Sequence, residues 1–410
     1  MKSLNNLAIL GGTPMFEEAL HVGRPNIGNR ENLLNRITDI LDRNWLTNSG
    51  PYVREFEKRI AEFVGVKHAI VMCNGTVALE ITIRALEMKG EVIIPSNTFI
   101  ATAHALQWQE ITPVFCDIEP STYNIDPVKL TKMITPRTTG IIGVHLWGRP
   151  CNIDALTKIA EKHSLKLIFD AAHAVGCSYK GRMIGCFGNA EVFSFHATKF
   201  INSFEGGAVT TNDNHLAEKI HLMKNFGFAG MDRVIYIGTN GKMSEISAAM
   251  GLTSLESIDE FIEVNKRNYN LYLRELSDIP GVKLVEYDGD EKRNYQYIIM
   301  EIDKQVIGLT RDQIVQVLHA ENILARRYFY PGCHRMEPYR SLFPHAGLML
   351  QNTEKLLGNV ICLPTGTSVN VEDIRKICDL LRFIVENGDE IKRRMAKSSI
   401  SPKSQSYMGL

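Results

Sequence analysis

Apolar residues along the chain fall into two alternating patterns, short unbroken runs and longer stretches with an apolar residue every three or four positions. The unbroken runs lie at 68–73, 91–95, 113–118, 140–144, 167–169 and 192–195. Runs of this length are typical of strands that are buried on both faces. Helical spacing occurs between them, for example at 30–43, 77–88 and 153–163. This alternation predicts an α/β fold with a mostly parallel central sheet covered by helices on both faces.

The second half of the chain has a different pattern. A long helical stretch at 255–276 precedes two apolar runs, near 282–287 and 295–302, and helical patterns at 310–320 and 371–387. We therefore predict a large domain over 30–255 and a smaller C-terminal α/β domain over 256–395, against which residues 1–29 pack. Residues 396–410 are polar and contain one proline, so we expect a disordered tail there.

The composition is that of an ordinary globular protein. The 46 basic residues balance the 46 acidic ones, which gives no support for a nucleic acid or an anionic membrane as a partner. The eight cysteines include no CxxC pair, so neither a metal site nor a disulfide scaffold is expected. The first residues lack the apolar run of a signal peptide, and no run reaches membrane-spanning length. We expect a cytoplasmic protein that acts on small molecules.

Two strand ends between 167 and 212 carry the clearest chemistry. Asp170 closes the run at 167–169, and Lys199 follows the run at 192–195. A carboxylate can hold a pyridine nitrogen protonated, and a lysine amine can condense with an aldehyde, so this pair is what pyridoxal phosphate (PLP) chemistry requires. On local grounds alone, Asp170 could instead cap a helix, and Lys199 could be an ordinary solvated charge.

Further candidate residues follow neighbouring strands. Gly75 and Thr76 stand between a predicted strand and a predicted helix, where free backbone N–H groups and the helix dipole favour an anion. Phe99 follows the run at 91–95, and Ser194 lies within the run at 192–195. Since ligands bind at the carboxyl ends of parallel strands, these residues can converge with Asp170. A simple helix cap at Gly75 and a core position for Phe99 are the structural alternatives.

Three stretches resemble a known family, namely FDAAHAVG from Phe169, FSFHATK ending at Lys199 and EGGAVTTND from Glu205. In this order and spacing they are similar to the DegT/DnrJ/EryC1/StrS family of PLP-dependent sugar aminotransferases. The resemblance implies the type I aminotransferase fold, a PLP cofactor, and a homodimer whose sites are completed by both subunits. Some members of the family have His at the position of Lys199 and dehydrate the sugar instead, so the lysine favours transamination.

The resemblance also implies roles around the cofactor ring. Lys199 would hold the cofactor and later move a proton between carbon atoms, and Asp170 would pair with the pyridine nitrogen. His173 would contact the 3-hydroxyl group, and Phe99 would stack on the ring. Burial near other cationic groups could lower the pKa of Lys199 toward neutrality, as proton transfer requires.

The phosphate and the substrates would be held by other residues. By the same resemblance Gly75, Thr76 and Ser194 bind the phosphate of their own subunit, and Asn240 reaches that of the partner subunit. Asn240 could equally be part of a tight turn with the following glycine. Three more residues are expected near donor or sugar nucleotide, namely Lys242, Tyr328 and His334. Tyr328 lies in a basic and aromatic stretch at 326–330, which could instead be a solvated connector.

The activity that the resemblance implies is transfer of an amino group from glutamate to C4 of a nucleotide-linked 4-keto-6-deoxyhexose. The product would be dTDP-4-amino-4,6-dideoxyglucose, since the stretches GVHLWGRPC and LPTGT are most similar to enzymes with that product. The alternatives are a related aminotransferase acting on a 3-keto, UDP-linked or GDP-linked sugar or an inosose, and a PLP-binding regulatory protein without turnover. A nicotinamide dehydrogenase is disfavoured because the chain has no GxGxxG motif after a strand.

Overall fold

The computed structural model describes residues 2–287 and 289–397. The helices are α1 Arg30–Arg43, α2 Pro51–Val64, α3 Gly75–Ala85, α4 Ile100–Gln107, α5 Pro127–Lys132, α6 Ile153–His163, α7 Asn214–Met223, α8 Glu245–Glu256, α9 Ile258–Leu276, α10 Lys304–Ile307, α11 Arg311–Ala320, α12 Tyr339–Leu342, α13 Gln351–Leu357, α14 Val371–Glu386 and α15 Gly388–Lys397. The strands are β1 Leu20–His21, β2 His68–Met72, β3 Glu91–Pro95, β4 Thr112–Cys116, β5 Thr138–Val144, β6 Lys166–Asp170, β7 Ser178–Tyr179, β8 Arg182–Met183, β9 Ala190–Ser194, β10 Gly207–Thr211, β11 Val282–Leu284, β12 Ile298–Ile302, β13 Ile323–Leu324 and β14 Val360–Leu363.

Seven strands form the central sheet, in the order β2-β10-β9-β6-β5-β3-β4. Every neighbouring pair is parallel except the two pairs that involve β10, which runs antiparallel to both β2 and β9. The predicted α/β fold with a mostly parallel sheet is therefore confirmed. The carboxyl ends of β3, β5, β6 and β9 lie at one edge of this sheet, which is where ligands bind in such folds.

Both faces of the sheet are buried, as the unbroken apolar runs predict. Consecutive side chains on a strand point to opposite faces, so Ile141 and Ile142 of β5 belong to different apolar cores. On one side the strands pack with Phe56 of α2, and on the other side with Leu79 of α3. Burial on both faces fixes the position of each strand end and of the side chains that follow it.

A second sheet, β11-β12-β14, is antiparallel and belongs to a separate apolar core. This core combines Ile314 of α11 and Ile377 of α14 with Leu7 and Phe16 from the start of the chain. The helix α9 connects the two regions, because its early residue Phe261 is in the core of the central sheet and its later residues are in the second core. The domain boundaries themselves remain a prediction.

Two expectations about helices need correction. The stretch at 255–276 is not a single helix, because α8 ends at Glu256 and α9 begins at Ile258, with a break at Ser257. The first two residues of the expected tail, 396 and 397, belong to α15, whose residue Ile391 is fully buried. Residues 398–410 lie outside the described residues. Within the described ranges, no helix is both long enough and apolar enough to cross a membrane.

Candidate active site

A cavity of about 610 Å³ opens at the carboxyl edge of the central sheet. Its walls also include residues 21–23 of the N-terminal segment and residues of the smaller sheet region, such as Tyr297 and Phe329. Eight of the residues predicted for the site line this cavity, namely Gly75, Thr76, Phe99, Asp170, His173, Ser194, Lys199 and Tyr328. The sheet therefore brings together side chains that are far apart in sequence.

Asp170 is the last residue of β6 and is buried. Its Oδ2 accepts a hydrogen bond from the Thr102 hydroxyl at 2.8 Å, and its Oδ1 accepts one from the Ala172 N–H at 3.2 Å. Burial raises the pKa of this carboxyl, while the two hydrogen bonds and the charge of Lys199 oppose the rise. A buried carboxylate is costly without a cation beside it, so this position favours a ligand that brings a positive charge.

Lys199 lies in the loop that follows β9 and is partly buried in the cavity wall. Its N–H donates to the His196 carbonyl at 2.8 Å, and the neighbouring Thr198 carbonyl accepts from Gln296 Nε2 at 2.9 Å. Burial lowers the pKa of the Lys199 amine to about 8, and the charge of Asp170 works in the opposite direction. At pH 7 roughly one amine in ten is then unprotonated, against fewer than about one in a thousand for an ordinary lysine.

His173 is buried between two aromatic rings at the cavity wall. Its ring is stacked on Phe329, with centroids 5.5 Å apart, and lies 4.7 Å from Tyr297. Burial, together with the charge of Lys199, holds the pKa of His173 well below its usual value, so the imidazole is neutral. Because Nδ1 accepts the Trp147 N–H at 3.3 Å, the hydrogen must be on Nε2, which can donate to an oxygen of a ligand.

The start of α3 forms an anion-binding corner of the cavity. The Asn74 side chain caps the helix by accepting from Val77 N–H at 2.8 Å, while the N–H groups of Gly75 and Thr76 have no acceptor within the helix. A Cβ at position 75 would lie 3.0 Å from the Cβ of Ser194, so glycine allows the helix to approach β9. The hydroxyl of Ser194 and the two N–H groups can therefore serve one phosphate.

Aromatic side chains form the remaining wall. Phe99 lines the cavity and is 54 % exposed, although it lies only four residues after the end of the fully buried strand β3. Its ring lies 6.2 Å from that of Phe329, which in turn stacks on Tyr328 at 4.9 Å. An exposed phenylalanine in a cavity can bury its face against a flat ligand, which gives this side chain a binding partner that the folded chain alone does not provide.

His334 is not brought to the cavity, contrary to the expectation for this residue. It is buried between Ser96, whose hydroxyl lies 2.6 Å from Nδ1, and Glu354, whose carboxylate lies 2.7 Å from Nε2. Both ring nitrogens are thus occupied by residues of the fold. The contacts attach the loop at 331–334 to the end of β3, and a substrate contact at His334 has no support in this structure.

Asn240 and Lys242 also lie outside the cavity wall. Lys242 pairs with Met72 at the end of β2, and its amine donates to Asn225 Oδ1 at 3.0 Å. Asn240 is exposed and pairs with Asn225 through the backbone. Neither residue reaches the cavity of its own chain. Their expected contacts with the phosphate and the substrates therefore remain predictions, and such contacts would have to be made in the cavity of a second subunit.

Several residues that line the cavity, or hold a lining residue in place, were not predicted from the sequence. Thr102, which holds the Asp170 carboxylate, lies on α4 and could have been suspected only from its position after β3. His21 and Arg326 reach the cavity because β1 pairs with β13, a contact between residues about 300 positions apart that no local pattern indicates. Gln296 was missed for a similar reason, since it belongs to the smaller sheet region.

The fold and the site together define a PLP-dependent aminotransferase of the α/β type. The chain belongs to the DegT/DnrJ/EryC1/StrS aminotransferase family, whose sequence profile matches residues 28–382. Members of this family are sugar aminotransferases that use pyridoxal phosphate.

Individual relatives resemble the chain over most of its length. It is 38% identical over 379 residues to a dTDP-4-amino-4,6-dideoxy-D-glucose transaminase of Shigella dysenteriae, covering 92% of this chain and 100% of the relative. It is 35% identical over 345 residues to a GDP-perosamine synthase of Caulobacter vibrioides, covering 83% and 92%. The crystal structure of DesI in the presence of its TDP-sugar product superposes with a TM-score of 0.92 at 50% identity, covering 96% of this chain and 100% of that one.

The residues around the cavity fit pyridoxal phosphate. The cofactor has a phosphate, a protonatable ring nitrogen, a flat ring and an aldehyde, and each has a counterpart here. The α3 N-terminus suits the phosphate, the buried Asp170 suits the ring nitrogen, and the exposed face of Phe99 suits the ring. The amine of Lys199, whose pKa is lowered by burial to about 8, suits the aldehyde.

Proposed function

We propose that the chain transfers the amino group of glutamate to C4 of a dTDP-linked 4-keto-6-deoxyhexose and so produces dTDP-4-amino-4,6-dideoxyglucose. The observation that carries the aminotransferase chemistry is the Lys199 amine, partly buried in the same cavity wall as Asp170. The choice of substrate is supported by the names of the Shigella relative and of the DesI complex.

In this proposal, four sets of contacts hold the cofactor. The carboxylate of Asp170 would keep the proton on the ring nitrogen, and the Nε2–H of His173 would donate to the 3-oxygen. The N–H groups at the start of α3 and the Ser194 hydroxyl would bind the phosphate, and Phe99, which lines the same cavity, would cover the ring. When bound, pyridoxal phosphate accepts the electron pair of the carbon that loses a proton. The protein's task is to keep that group protonated, oriented and out of bulk water.

Lys199 has two roles in the proposal. Its amine would hold the cofactor aldehyde through a covalent bond, and its Nζ would accept and return the proton that amino transfer moves. A pKa of about 8 suits both steps, because the amine is unprotonated often enough to accept a proton and basic enough to hold it.

A related reaction is the main alternative. The similarity to a GDP-perosamine synthase favours a GDP-linked sugar as the second candidate substrate. Other 3-keto or UDP-linked sugars and inososes rest on family membership alone. A PLP-binding regulator without turnover is disfavoured by the presence of Lys199 and Asp170 in one cavity wall.

The test is a comparison of substrates on the purified, PLP-loaded protein. Glutamate should bleach the visible absorbance of the bound cofactor, and the dTDP-linked 4-keto-6-deoxyglucose should restore it with formation of an amine one mass unit heavier than the ketone. We expect kcat/KM for the dTDP-linked substrate to exceed that for UDP- and GDP-linked analogues by at least about tenfold, the value of one good polar contact. A preference for the GDP-linked sugar would select the second candidate. No bleaching by glutamate would contradict amino transfer.

We also propose that the active unit is a homodimer, located in the cytoplasm. Apolar side chains of α1 and of the segment at 226–237 remain on the surface of the single chain, which is unusual for a protein that acts alone. They include Leu41, Met231 and Ile237, the last two 93 % and 75 % exposed. Asn240 and Lys242 follow this segment directly, so a partner docked there would receive them.

Mixing two inactive variants tests whether Asn240 acts across the dimer. Lys199→Ala removes the amine, and Asn240→Asp places a negative charge beside the phosphate, so each variant alone should have little activity. If the residues act in trans, random reassociation gives one intact site in each mixed dimer and recovers about one quarter of wild-type activity. A mixture no more active than its components would show that both residues serve the same subunit. Gel filtration of each variant controls for loss of the dimer.

A further inference from the structure

Asn294 is a fully buried residue of the smaller sheet region and lies outside the cavity wall. It stands four residues before β12, and its main-chain carbonyl accepts a hydrogen bond from Asn265 Nδ2 of α9 at 3.0 Å. A buried side-chain amide needs partners for two donors and one acceptor. The partners of Asn294 therefore show what this residue holds in place.

The Asn294 side chain is bonded entirely to backbone groups. Its Nδ2 donates to the carbonyls of His173 and Val175, each at 2.9 Å, and its Oδ1 accepts the Gln296 N–H at 3.2 Å. Two carbonyls on one side and an N–H on the other leave a single orientation of the amide that forms all three bonds. Asn294 thus attaches the loop after β6 to the smaller sheet region.

His173 is the residue in that loop that faces the cofactor site. It lies three residues beyond the end of β6, where the hydrogen bonds of the sheet no longer fix the backbone. Its ring is held by the Trp147 N–H and by contacts with Tyr297 and Phe329. The main chain that carries the ring is held at its carbonyl by Asn294. The direction of the ring therefore depends on this amide as well.

The turn that carries Trp147 fits closely against the same amide. Gly148 has φ +75°, and a Cβ there would lie 3.0 Å from Asn294 Oδ1 and 3.1 Å from the His173 carbonyl oxygen. A side chain at position 148 would be strained and would push against both groups. A displacement of the Asn294 amide would therefore disturb the two segments whose hydrogen bond orients the His173 ring.

The segment that contains Asn294 also reaches the loop that carries Lys199. Gln296 Nε2 donates to the Thr198 carbonyl at 2.9 Å, while the N–H of the same glutamine is bound by Asn294 Oδ1. The two amides thus link the loop after β6 with the loop after β9. Both loops end at the cavity, so the smaller sheet region supports the site without contributing these amides to the chemistry.

We propose that Asn294 is a positioning residue for amino transfer, which holds the main chain of His173 so that the ring Nε2–H points to the 3-oxygen of the cofactor. Asn294 does not touch the cofactor and acts only through His173. The inference rests on the proposed contact between His173 and that oxygen, and it makes this contact dependent on the smaller sheet region. Asp170 and Ser194, which end strands of the central sheet, need no such support.

Titration of the visible absorbance of the full-length, PLP-loaded protein tests the proposal without turnover. The nitrogen that joins Lys199 to the cofactor can hold a proton, and a donor to the negatively charged 3-oxygen disfavours that protonated form. Loss of the donor therefore raises the midpoint pH of the absorbance change. We expect a rise of about one unit in His173→Phe and of at least about half a unit in Asn294→Leu, since one unit is a tenfold change in the equilibrium.

Asn268→Leu is the matched control. Asn268 is equally buried, lies on α9, and donates through Nδ2 to the carbonyls of Gly366 and Val369 at 3.2 and 3.4 Å. Both leucine variants leave buried carbonyl groups without a donor, so both should lower the melting temperature. Only Asn294→Leu should move the midpoint, and Asn268→Leu should stay within about 0.2 unit of the wild type. None of the variants changes a charged side chain of the cavity, because His173 is neutral.

A second variant covers the case in which Asn294→Leu does not fold. Asn294→Ser is smaller and keeps a hydroxyl donor, and it should raise the midpoint in the same direction. If His173→Phe shifts the midpoint, an unchanged midpoint in the Asn294 variants, or equal shifts in Asn294→Leu and Asn268→Leu, overturns the proposal. No shift in His173→Phe would contradict the His173 contact and the inference with it. Failure of amino transfer is detected separately, as the absence of bleaching by glutamate in the wild type.

Discussion

Replacement of Lys199 by alanine abolishes amino transfer, with kcat lower by about 10⁴-fold or more, because one side chain supplies both the covalent bond to the cofactor and the proton transfer. Lys199→Arg should be equally inactive. A guanidinium keeps the positive charge but does not lose its proton, so it can neither bond to the aldehyde nor act as a base. Steady-state transamination assays and the visible absorbance of the bound cofactor measure both effects.

The folded state should tolerate this change. Since burial lowers the pKa of Lys199 to about 8, the fold disfavours its ammonium form, and removal of the amine should not lower the melting temperature at neutral pH. Lys158→Ala, at an exposed position on α6, is the matched control and should keep wild-type activity. An alanine variant at 199 with more than about one hundredth of the wild-type rate would contradict the central role of the amine.

Replacement of Asp170 by asparagine should lower kcat by about 10³-fold, in the range seen when a preorganised electrostatic contact is lost. Asparagine has the same shape, and its oxygen can still accept the Ala172 N–H at the position of Oδ1. It has no negative charge, however, so the ring nitrogen of the cofactor is no longer held protonated. The absorbance spectrum and the rate of bleaching by glutamate report this loss directly.

Thr102→Val provides the matched control for this prediction. The Thr102 hydroxyl donates to Asp170 Oδ2 at 2.8 Å and lowers the pKa of the carboxyl, so its removal raises that pKa. The carboxylate form is lost as pH falls through the pKa, so the acidic limb of the kcat profile should move to higher pH while activity at pH 8 remains close to wild type. An unchanged profile in Thr102→Val, or full activity in Asp170→Asn, would show that this carboxylate does not act on the cofactor.

The central sheet could be predicted because burial on both faces leaves an unbroken apolar signature. Val92, Ile93 and Ile94 of β3 are all fully buried, and such a run indicates a strand without reference to the rest of the chain. Strand direction leaves no comparable signature. The antiparallel course of β10 follows from the short segment that joins it to β9, which contains no crossover helix.

The candidate site was predictable where residues follow strand ends and unpredictable where it depends on distant pairing. Asp170 and Ser194 end their strands, and Lys199 follows only five residues after Ser194, so their convergence follows from the sheet alone. The family resemblance predicts His334 at the site, but its polar neighbours Ser96 and Glu354 occupy both ring nitrogens. The sequence does not distinguish a histidine whose ring nitrogens can bind a ligand from one whose ring nitrogens are already hydrogen-bonded within the fold.

The break at Ser257 was missed for a related reason. The stretch across it contains no proline or glycine, and both sides have helical spacing. The two helices differ in burial instead, since α8 is buried almost all round and α9 has one exposed face. Tertiary packing, not local propensity, ends α8 at Glu256.

Leu7 and Phe16 share an apolar core with residues of α14 and α15, so their side chains stay uncovered until those helices have been synthesised, more than 350 residues later. The strands of the central sheet end at Thr211, so this sheet can condense first, whereas the smaller region closes only after α14 and α15 are available. His21 and Gly23 follow Phe16 in the same segment, so the cavity acquires its last wall only after α14 and α15 have packed.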